Sequence, residues 1–390
     1  MWETPAVTSP SLSPWDVRSD TERTVALEVL LHGPVSRSEL ARRLRLSPAS
    51  LTRLVAPMVA DGLLEETDGM GTSALGRPTR PVRIAAGAGH FIGVRLTPTE
   101  AHGVVTNMRA DILGVAVARL DDTTPAGVVG TVGDVIDRLR TDQQVDPYRV
   151  GVSLGGLVDH HARVRSAHFY DWAEPVDLAA DVRRATAIPT VIDNDVMALT
   201  RAQSWFGIGR GMDRFAVITL GVGVGLGIVM HGELIESPDA GLGLIQHFPL
   251  NDSGPVCPAG HHGCAQAMLT DDAIAAQTSV AIRRAVNRDE ALDLAADGDP
   301  AARAVADQSG RALGRLVAAV ANLTMCYRII VTGEGGRLAA VAGDAMRAQI
   351  GIERDPDAGQ LEIHNPALTV ADWAQGPAVL AIQTLVRPSA

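Results

Sequence analysis

The sequence predicts an α/β protein with an N-terminal winged helix-turn-helix, and two patterns support this prediction. The segment from Ser36 to Leu64 has the start signals and apolar spacing of two short helices joined by a tight turn. From about His90, apolar strands alternate with amphipathic helices. A chain of 390 residues is long enough for two or three domains. We therefore expect a small helical domain followed by a larger α/β domain.

The first elements in chain order form the N-terminal domain, which is expected to cover residues 20–86. Residues 1–19 are rich in proline, serine and threonine without a helical period, which predicts a disordered tail. The chain has three cysteines, no signal peptide and no apolar run long enough to cross a bilayer. These features predict a cytoplasmic protein that does not interact with a membrane.

Capping signals mark the starts of the two helices. Ser36 and Glu39 have the spacing of a reciprocal capping box, and Ser47 is a natural N-cap with Pro48 at the first helical position. The second helix would present small, hydroxylic or basic residues outward: Ala49, Ser50, Thr52 and Arg53. Such a face suits the DNA major groove, where arginine can donate hydrogen bonds to guanine and hydroxyl groups can hydrogen-bond to bases or phosphates. An ordinary helical hairpin packed into a larger core is the alternative.

A wing is predicted after these helices, because a glycine-rich stretch separates two short strands at residues 62–66 and 81–84. Arg77 and Arg80 lie on or beside it and, with Arg37 and Ser47, are candidates for DNA contacts. The net charge of the chain is −11, yet residues 36–55 hold five arginines against one glutamate. A basic segment in an acidic chain indicates a small nucleic-acid-binding domain attached to a domain that does not bind nucleic acid.

Two residues depart from the usual pattern of this motif. Arg45 stands in the turn where glycine is usual, and a positive φ there would cost about 1 kcal/mol. Pro57 falls inside the second helix and removes the amide that would bond the Arg53 carbonyl. We therefore expect a kink or an early end of the helix at Pro57.

The remaining elements follow as strands and helices. Strands are predicted at residues 90–96, 101–108, 112–120, 148–159, 190–195, 214–230 and 328–336. Helical stretches are predicted at residues 128–142, 273–299, 301–325 and 377–386. Buried strands with polar or glycine-rich ends suggest a site at the strand ends.

Five motifs in a fixed order carry a resemblance to a known family. They are GVSLGGLVD, DNDVMALTRAQSWFGIGRG, TLGVGVGLGIV, GLIQH and CPAGHHGC. After a winged helix, this order resembles the ROK family of repressors and sugar kinases, from about residue 20 to the C-terminus. The resemblance implies a two-lobed actin-like (ribonuclease H-like) ATPase-fold domain over residues 90–390. One lobe would cover about 90–198 with the C-terminal helix, and the other about 199–372.

The resemblance places the family's catalytic base at Asp195, but the phosphate-binding turns are altered. The first turn, typically D-x-G-G-T, reads R-L-T-P-T at residues 95–99, so a cation replaces the carboxylate and both glycines are lost. The second loop, G-V-G at residues 221–223, lacks its hydroxyl. Arg95 would repel magnesium. We therefore expect no ATP binding and no enzymatic activity, with Asp195 a vestigial base; a sugar kinase that retains a DNA-binding domain is the alternative.

The sugar site implied by the family is only partly present. Three residues match family contacts to sugar hydroxyls: Asn194, Asp195 and His247. Three others replace polar partners: Met197, Gln203 and Leu244. Each lost hydroxyl partner is worth about 1–3 kcal/mol once the ligand is desolvated. The expected effector is therefore sugar-like with an apolar or acylated substituent, and a regulator without a ligand is the alternative.

A structural zinc site is implied by the family's C-x-C-G-x-x-G-C loop and one histidine. Here His247, Cys257 and Cys264 match, but Ala259 replaces the middle cysteine. His261 or His262 could complete a tetrahedral Cys₂His₂ set. The alternative is a loop with two free thiols and no metal. The third cysteine, Cys326, is predicted to be a small buried hydrophobic residue.

These features together predict a repressor-like transcription regulator of sugar or secondary metabolism. Its partners would be a double-stranded DNA operator and a sugar-like effector. A homodimer or homotetramer is expected, because twofold symmetry doubles the phosphate contacts and selects a palindromic operator.

Overall fold

The computed structural model describes residue 15 and residues 18–67, 80–167 and 169–387. It is an α/β structure with two compact units, Met1–Gly211 with Val370–Ala390, and Met212–Thr369. In the described residues, no helix has both the length and the apolar character needed to cross a membrane. The units divide at residue 211 rather than near 198, because the helix at Asp195–Trp205 packs against the C-terminal helix.

The helix-turn-helix forms where the sequence predicts it. Its elements are α1 (Asp20–His32), α2 (Arg37–Leu44), α3 (Pro48–Ala60), β1 (Leu64–Glu66) and β2 (Val82–Ile84). Strands β1 and β2 pair antiparallel, with Leu64 opposite Ile84. The predicted wing loop, including Arg77, lies outside the described residues.

The caps and the turn agree with the prediction in part. Ser47 accepts a hydrogen bond from the Ser50 amide at 3.1 Å, and Arg45 adopts φ 54° as the cap of α2. One prediction is wrong. The carboxylate of Glu39 accepts hydrogen bonds from two arginines, Arg42 and Arg43, so the reciprocal capping box does not form. Helix α3 continues past Pro57 to Ala60, so of the two outcomes expected at this proline the early end does not occur.

The described part of the predicted disordered tail is ordered. Trp15 is 1% exposed and packs in the helical core. Arg18 donates to Asp61 at 2.7 Å, and Ser19 forms a reciprocal capping box with Glu22 at the start of α1. This capping signal lies one helix earlier than the one expected from sequence.

The first unit continues with a five-stranded sheet. Its elements are β3 (His90–Leu96), β4 (Glu100–Asn107), β5 (Ile112–Arg119), α4 (Pro125–Gln143), β6 (Arg149–Leu154), β7 (Leu157–Asp159), β8 (Arg163–Ser166), α5 (Leu178–Thr186), β9 (Thr190–Asn194) and α6 (Asp195–Trp205). The sheet order is β5-β4-β3-β6-β9, with β3, β6 and β9 parallel. The strand ends of β3 and β9 therefore lie at the same edge, beside the start of α6.

The second unit contains its own five-stranded sheet, ordered β12-β11-β10-β13-β14. Its elements are β10 (Arg214–Leu220), β11 (Val224–Met230), β12 (Glu233–Leu234), α7 (Ala265–Leu269), α8 (Asp271–Ile282), α9 (Arg288–Ala296), α10 (Pro300–Thr324), β13 (Arg328–Thr332), α11 (Arg337–Val341), α12 (Gly343–Glu353) and β14 (Glu362–His364). The stretch predicted at residues 273–299 is two helices, because Arg283 takes φ 58° and ends α8.

The chain returns to the first unit as α13 (Val370–Val386), which begins earlier than predicted and continues through Pro377. It packs directly on the first sheet. A Cβ at Gly93 would collide with the Ala374 carbonyl, and a Cβ at Gly151 would collide with the Pro377 carbonyl. Glycine is therefore required at these points because the helix backbone approaches the strands closely.

The helix-turn-helix shares one apolar core with this sheet and its helices. Val29, Leu40 and Leu51 belong to the same buried cluster as residues of β3, α6 and α13, namely Phe91, Ala202, Trp205, Val379, Ile382 and Leu385. The two parts of the first unit therefore fold around common residues.

Candidate DNA-binding surface and effector site

The outer face of α3 carries the candidate base-reading residues. Leu51, Val55 and Met58 are at most 1% exposed, which fixes the inner face of the helix. The opposite face presents Ala49, Thr52 and Arg53 as exposed residues and Ser50 as a half-buried one. The Thr52 hydroxyl donates to the Pro48 carbonyl at 2.9 Å.

Two exposed cations near this face, Arg53 on α3 and Arg45 in the turn before it, form no ion pair within 4.0 Å among the described residues. Their guanidinium groups are therefore available to a ligand. By contrast, Arg37 and Arg80 both reach Glu66 on β1, at 2.6 and 3.4 Å. The hydrogen bond from Arg37 lowers the pKa of Glu66, so this carboxylate is charged at neutral pH.

Two arginines of the sheet region bind the helix-turn-helix directly. The Arg210 guanidinium donates to the Leu31 carbonyl at 2.7 Å and to the Gly33 carbonyl at 3.0 Å. Arg109 lies 3.5 Å from Glu65 on β1. Sequence patterns give no signal for these contacts, because the partners are far apart in the chain.

The predicted vestigial base lies beside the cation that replaced the family's carboxylate. Arg95 Nη2 lies 3.9 Å from Asp195 Oδ2, at the ends of β3 and β9. The guanidinium carbon of Arg95 lies 4.1 Å from the centroid of the Trp373 ring, and Arg95 is only 8% exposed. Ion pairing and stacking together hold the arginine in this position.

Tyr170 belongs to the same cluster, although the sequence analysis did not single it out. Its hydroxyl donates to the Thr97 carbonyl at 2.7 Å, within the altered first turn. Burial raises the pKa of Tyr170, and the negative charge of Asp195 raises it further. The tyrosine is therefore a neutral donor that holds the turn.

Several residues predicted to contact a sugar already bind the protein backbone. The side-chain oxygen of Asn194 accepts a hydrogen bond from the Val196 backbone amide at 2.9 Å, and its side-chain nitrogen donates one to the Gly156 carbonyl at 3.0 Å. Gln203 accepts from the Ile208 amide at 3.2 Å. Of the residues that replaced polar partners, Met197 is 6% exposed and Leu244 is 70% exposed.

The altered second loop lies against acidic side chains of its own unit. Glu334 Oε2 lies 3.0 Å from the position that a Cβ on Gly221 would take. The Asp271 amide donates to the Gly221 carbonyl, and burial raises the pKa of the Asp271 carboxyl. The Asp271 carboxylate is paired with Arg288 at 3.1 Å, so Glu334 is the acidic group placed directly beside this loop.

Three predicted metal ligands come together in the second unit. The ligand atoms of His247, Cys257 and Cys264 all lie within 4.8 Å of one another. His261 Nδ1 lies 3.5 Å from Cys257 Sγ, and the rings of His261 and His247 are 4.4 Å apart. His262 instead forms a backbone bridge with Val256. Of the two candidates for a fourth ligand, the geometry favours His261.

The thiols of this cluster differ in their acidity. Burial raises the pKa of Cys257, but hydrogen bonds from the backbone and side chain of His261 outweigh it and lower the pKa to about 6. Burial raises the pKa of Cys264. A thiolate beside a second thiol and two imidazoles matches the ligand chemistry of zinc. Cys326 is buried at 1% exposure, as expected.

Comparison with known proteins gives a consistent result. Over 334 residues the chain is 24% identical to the DNA-binding transcriptional repressor Mlc of Escherichia coli (strain K12), covering 81% of this chain and 82% of that protein. It is 30% identical over 240 residues to the glucokinase of Thermotoga maritima, covering 56% of this chain and 75% of that one. A crystal structure described as a ROK family transcriptional regulator, a homolog of the E. coli MLC protein, matches with TM-score 0.79 and 22% identity, covering 94% of this chain and 96% of that one. The ROK family model matches residues 91–383, and the chain therefore belongs to the ROK family.

Proposed function

We propose that this protein is a repressor-like DNA-binding transcription regulator whose effector domain is catalytically inactive. The observation that carries the DNA-binding part is Arg53, exposed and available on the outer face of α3 among small and hydroxylic residues. The match to the repressor Mlc extends over most of both chains, and this supports the same class of function here. Arg37 and Arg80 would contact phosphates, and Arg77 is proposed for the same role.

The inactive effector domain is inferred from Arg95. A kinase of this family needs its base free to accept a proton from the sugar hydroxyl, and it needs phosphates held nearby. Here a buried guanidinium lies 3.9 Å from Asp195, in the turn that would hold metal and phosphate. Glu334 at the second loop adds negative charge where ATP would bring its own. Each of the two turns that the family uses for phosphates is therefore unfavourable for phosphoryl transfer within its own unit.

A phosphorylation assay tests the catalytic part of the proposal. The protein is incubated with ATP, magnesium and a panel of sugars, with Asp195→Asn as the matched control and the T. maritima glucokinase as the positive control. We expect the same background for wild type and variant. Saturable phosphorylation by the wild type that disappears in Asp195→Asn would show a working kinase.

Selection from a random DNA duplex library tests the DNA-binding part. We expect an enriched palindrome, because a homodimer or homotetramer would place two helix-turn-helix motifs around a twofold axis. The Arg53→Ala variant in the same selection serves as the control. Failure of the wild type to enrich any sequence would contradict DNA recognition, whatever the outcome of the kinase assay.

The effector we propose is a sugar-like molecule with an apolar or acylated substituent. In the first unit, Asn194 and Gln203 already bind the backbone, and Met197 puts a buried apolar side chain in place of an amide. A ligand that favours one conformation would change operator affinity by about 1–3 kcal/mol. Calorimetry compares glucose, xylose, N-acetylglucosamine and phosphorylated sugars. Tight binding of unmodified glucose that Asp195→Ala abolishes would contradict this assignment.

We further propose one structural zinc ion per chain. His247, Cys257, Cys264 and His261 would hold it, with one thiolate available at neutral pH. Zinc would fix the loop between the short 3₁₀ helix Leu244–His247 and α7, so its loss should lower thermal stability.

A further inference from the structure

A cavity of about 370 Å³ lies where the helix-turn-helix meets the first sheet, within the first unit. The end of α1 and strand β2 form one wall, and the turn between β4 and β5 and the segment after α6 form the other. This volume is in the lower part of the range of pockets that bind small molecules. Apolar residues line part of the cavity: Val29, Leu30, Pro34, Ile84 and Phe206.

Three guanidinium groups and one carboxylate line the rest of the cavity, those of Arg83, Arg109, Arg210 and Asp111. Carboxylates neutralise two of these arginines. Arg109 donates to Asp111 at 3.0 and 3.1 Å, and Arg83 donates at 2.6 Å to Glu65, its cross-strand neighbour on β1. The third arginine, Arg210, forms no ion pair within 4.0 Å among the described residues. The cavity therefore keeps a surplus of positive charge.

Backbone oxygens at the end of α1 hold Arg210 in place. Its Nε donates to the Leu31 carbonyl at 2.7 Å, and its Nη2 donates to the Gly33 carbonyl at 3.0 Å. A helix C-terminus carries about half a negative charge, so these carbonyls neutralise the guanidinium only in part. Among the described residues, nothing accepts a hydrogen bond from Nη1 of Arg210. This nitrogen is therefore available to a ligand, on a side chain that is already fixed.

Arg83 offers a second set of donors. Its Nε is bonded to Glu65, and in the described part of the chain neither of its terminal nitrogens makes a hydrogen bond. Its side chain is 42% exposed, so these nitrogens are accessible. One arginine of the helix-turn-helix and one of the segment after α6 therefore present N–H groups to the same cavity. The planar donor set of a guanidinium matches the two oxygens of a carboxylate.

We propose that this cavity binds a small monocarboxylate with an apolar body. The carboxylate would accept hydrogen bonds from Arg83 and Arg210, and the body would pack on the apolar lining. A single negative charge balances the surplus, whereas the two charges of a phosphate monoester would also face the carboxylates of Asp111 and Glu65. The site shares no residue with the sugar-like effector site proposed above.

Such a ligand would join the helix-turn-helix to the sheet region. Arg83 belongs to β2 and Arg210 follows α6, so a carboxylate bonded to both adds a bridge between these two parts of the unit. A ligand that binds only the folded chain stabilises it, so we expect the unfolding temperature to rise with ligand concentration. We also expect a change in operator affinity, and this expectation alone rests on the proposed function.

Four probes separate the contributions of the charge and the apolar body. Benzoate has both, benzamide lacks the charge, acetate lacks the body, and phenyl phosphate carries a second charge. Each is titrated against the full-length protein without DNA, and its affinity is measured by ligand-observed NMR. We expect benzoate to bind about tenfold more tightly than each of the other three. Equally tight binding of any of the three, or no binding of benzoate at millimolar concentration, would overturn the proposal.

Arginine variants locate the binding. We expect Arg83→Gln and Arg210→Gln each to weaken benzoate binding about tenfold, since each removes one of the two charged donors. Arg138→Gln is the matched control, because Arg138 also donates to a backbone carbonyl, that of Val117 at 3.3 Å, and lies outside the cavity. The unfolding temperature without ligand shows whether each variant is folded, and Arg83→Gln keeps the test decisive if loss of the Arg210 bonds loosens the unit.

Wild-type affinity for benzoate in Arg83→Gln, or an equal loss of affinity in Arg138→Gln, would overturn the proposal. Because these titrations contain no DNA, their failure would leave operator recognition to the selection experiment. Operator binding with and without benzoate then shows whether the cavity is coupled to the helix-turn-helix.

Discussion

Arg53 on the outer face of α3 forms no ion pair with the described residues, whereas Arg42 and Arg43 on α2 are hydrogen-bonded to Glu39. We expect Arg53→Ala to reduce discrimination between operator and random DNA by about 1–3 kcal/mol. Its thermal stability should not change, because an exposed side chain leaves no cavity. Fluorescence anisotropy with both duplexes measures this, with Arg42→Ala as the control. Equal loss on both duplexes would show that Arg53 contacts phosphate only.

Glu66 restrains two candidate phosphate contacts at once, because Arg37 and Arg80 both pair with it. We expect Glu66→Gln to tighten binding to operator and random DNA alike. The slope of log affinity against log salt should become steeper by about one to two, since two cations become available for phosphates. A salt titration checks this, and Asp61→Asn, which removes a carboxylate from the Arg18 pair, is the control. An unchanged slope would contradict a phosphate role for these arginines.

His261 distinguishes a Cys₂His₂ zinc site from an unoccupied pair of thiols. We expect wild type and His262→Ala to contain about one zinc per chain and His261→Ala to contain less than half. Elemental analysis of protein purified without added metal measures this. Chelation should lower the unfolding temperature of wild type and His262→Ala. Less than a tenth of an equivalent in the wild type would contradict the site.

Individual residues show what the sequence could and could not reveal. The N-cap at Ser47 and the positive φ of Arg45 follow from local rules, and both were predicted. The substitution of Arg95 was visible as well, but its stacking on Trp373 was not. The two residues belong to segments of the first unit that are separated in the chain by the whole second unit, and only the tertiary fold brings them together. The sequence left His261 and His262 as equal alternatives for a metal ligand, and only the loop conformation brings His261 Nδ1 to 3.5 Å from Cys257 Sγ.

At the scale of elements, α13 lies so close to the first sheet that Gly151 cannot carry a side chain without displacing the helix backbone. We expect Gly151→Ala to destabilise the protein by about 1–3 kcal/mol, the usual cost of overpacking. Gly130 in α4 is the matched control, because nothing lies within 4 Å of its Cβ position. Gly130→Ala should stabilise by about 0.5–1 kcal/mol. Chemical denaturation compares them, and a neutral Gly151→Ala would contradict the close approach.

Element boundaries were predicted less well than element types. The helix breaks at Arg283, a residue without any turn signal in the sequence. Conversely, α3 and α13 both continue through a proline that was expected to mark a boundary. In these cases packing of the surrounding apolar faces outweighs local propensity. The strands β3, β4 and β5 were predicted correctly, because each is a strong apolar run bounded by turns.

At the scale of the whole molecule, the order of the motifs was sufficient to predict the family and the α/β fold. The sequence placed the helix-turn-helix as a separate domain at residues 20–86. In the structure it forms one compact unit with the first sheet, through the shared core and the bonds from Arg210. Contacts between segments so distant in the chain leave no periodic trace in the sequence.

The shared core also limits how such a regulator can be rebuilt by recombination. A gene fusion that joined residues 1–89 to a different protein would uncover the faces of Val29, Leu40 and Leu51 that now pack with α6 and α13. The remaining fragment would uncover Trp205 and Ile382 in turn. Substitution of the few exposed side chains of α3 is therefore an easier way to change operator specificity, in evolution or in engineering, than exchange of the whole helix-turn-helix.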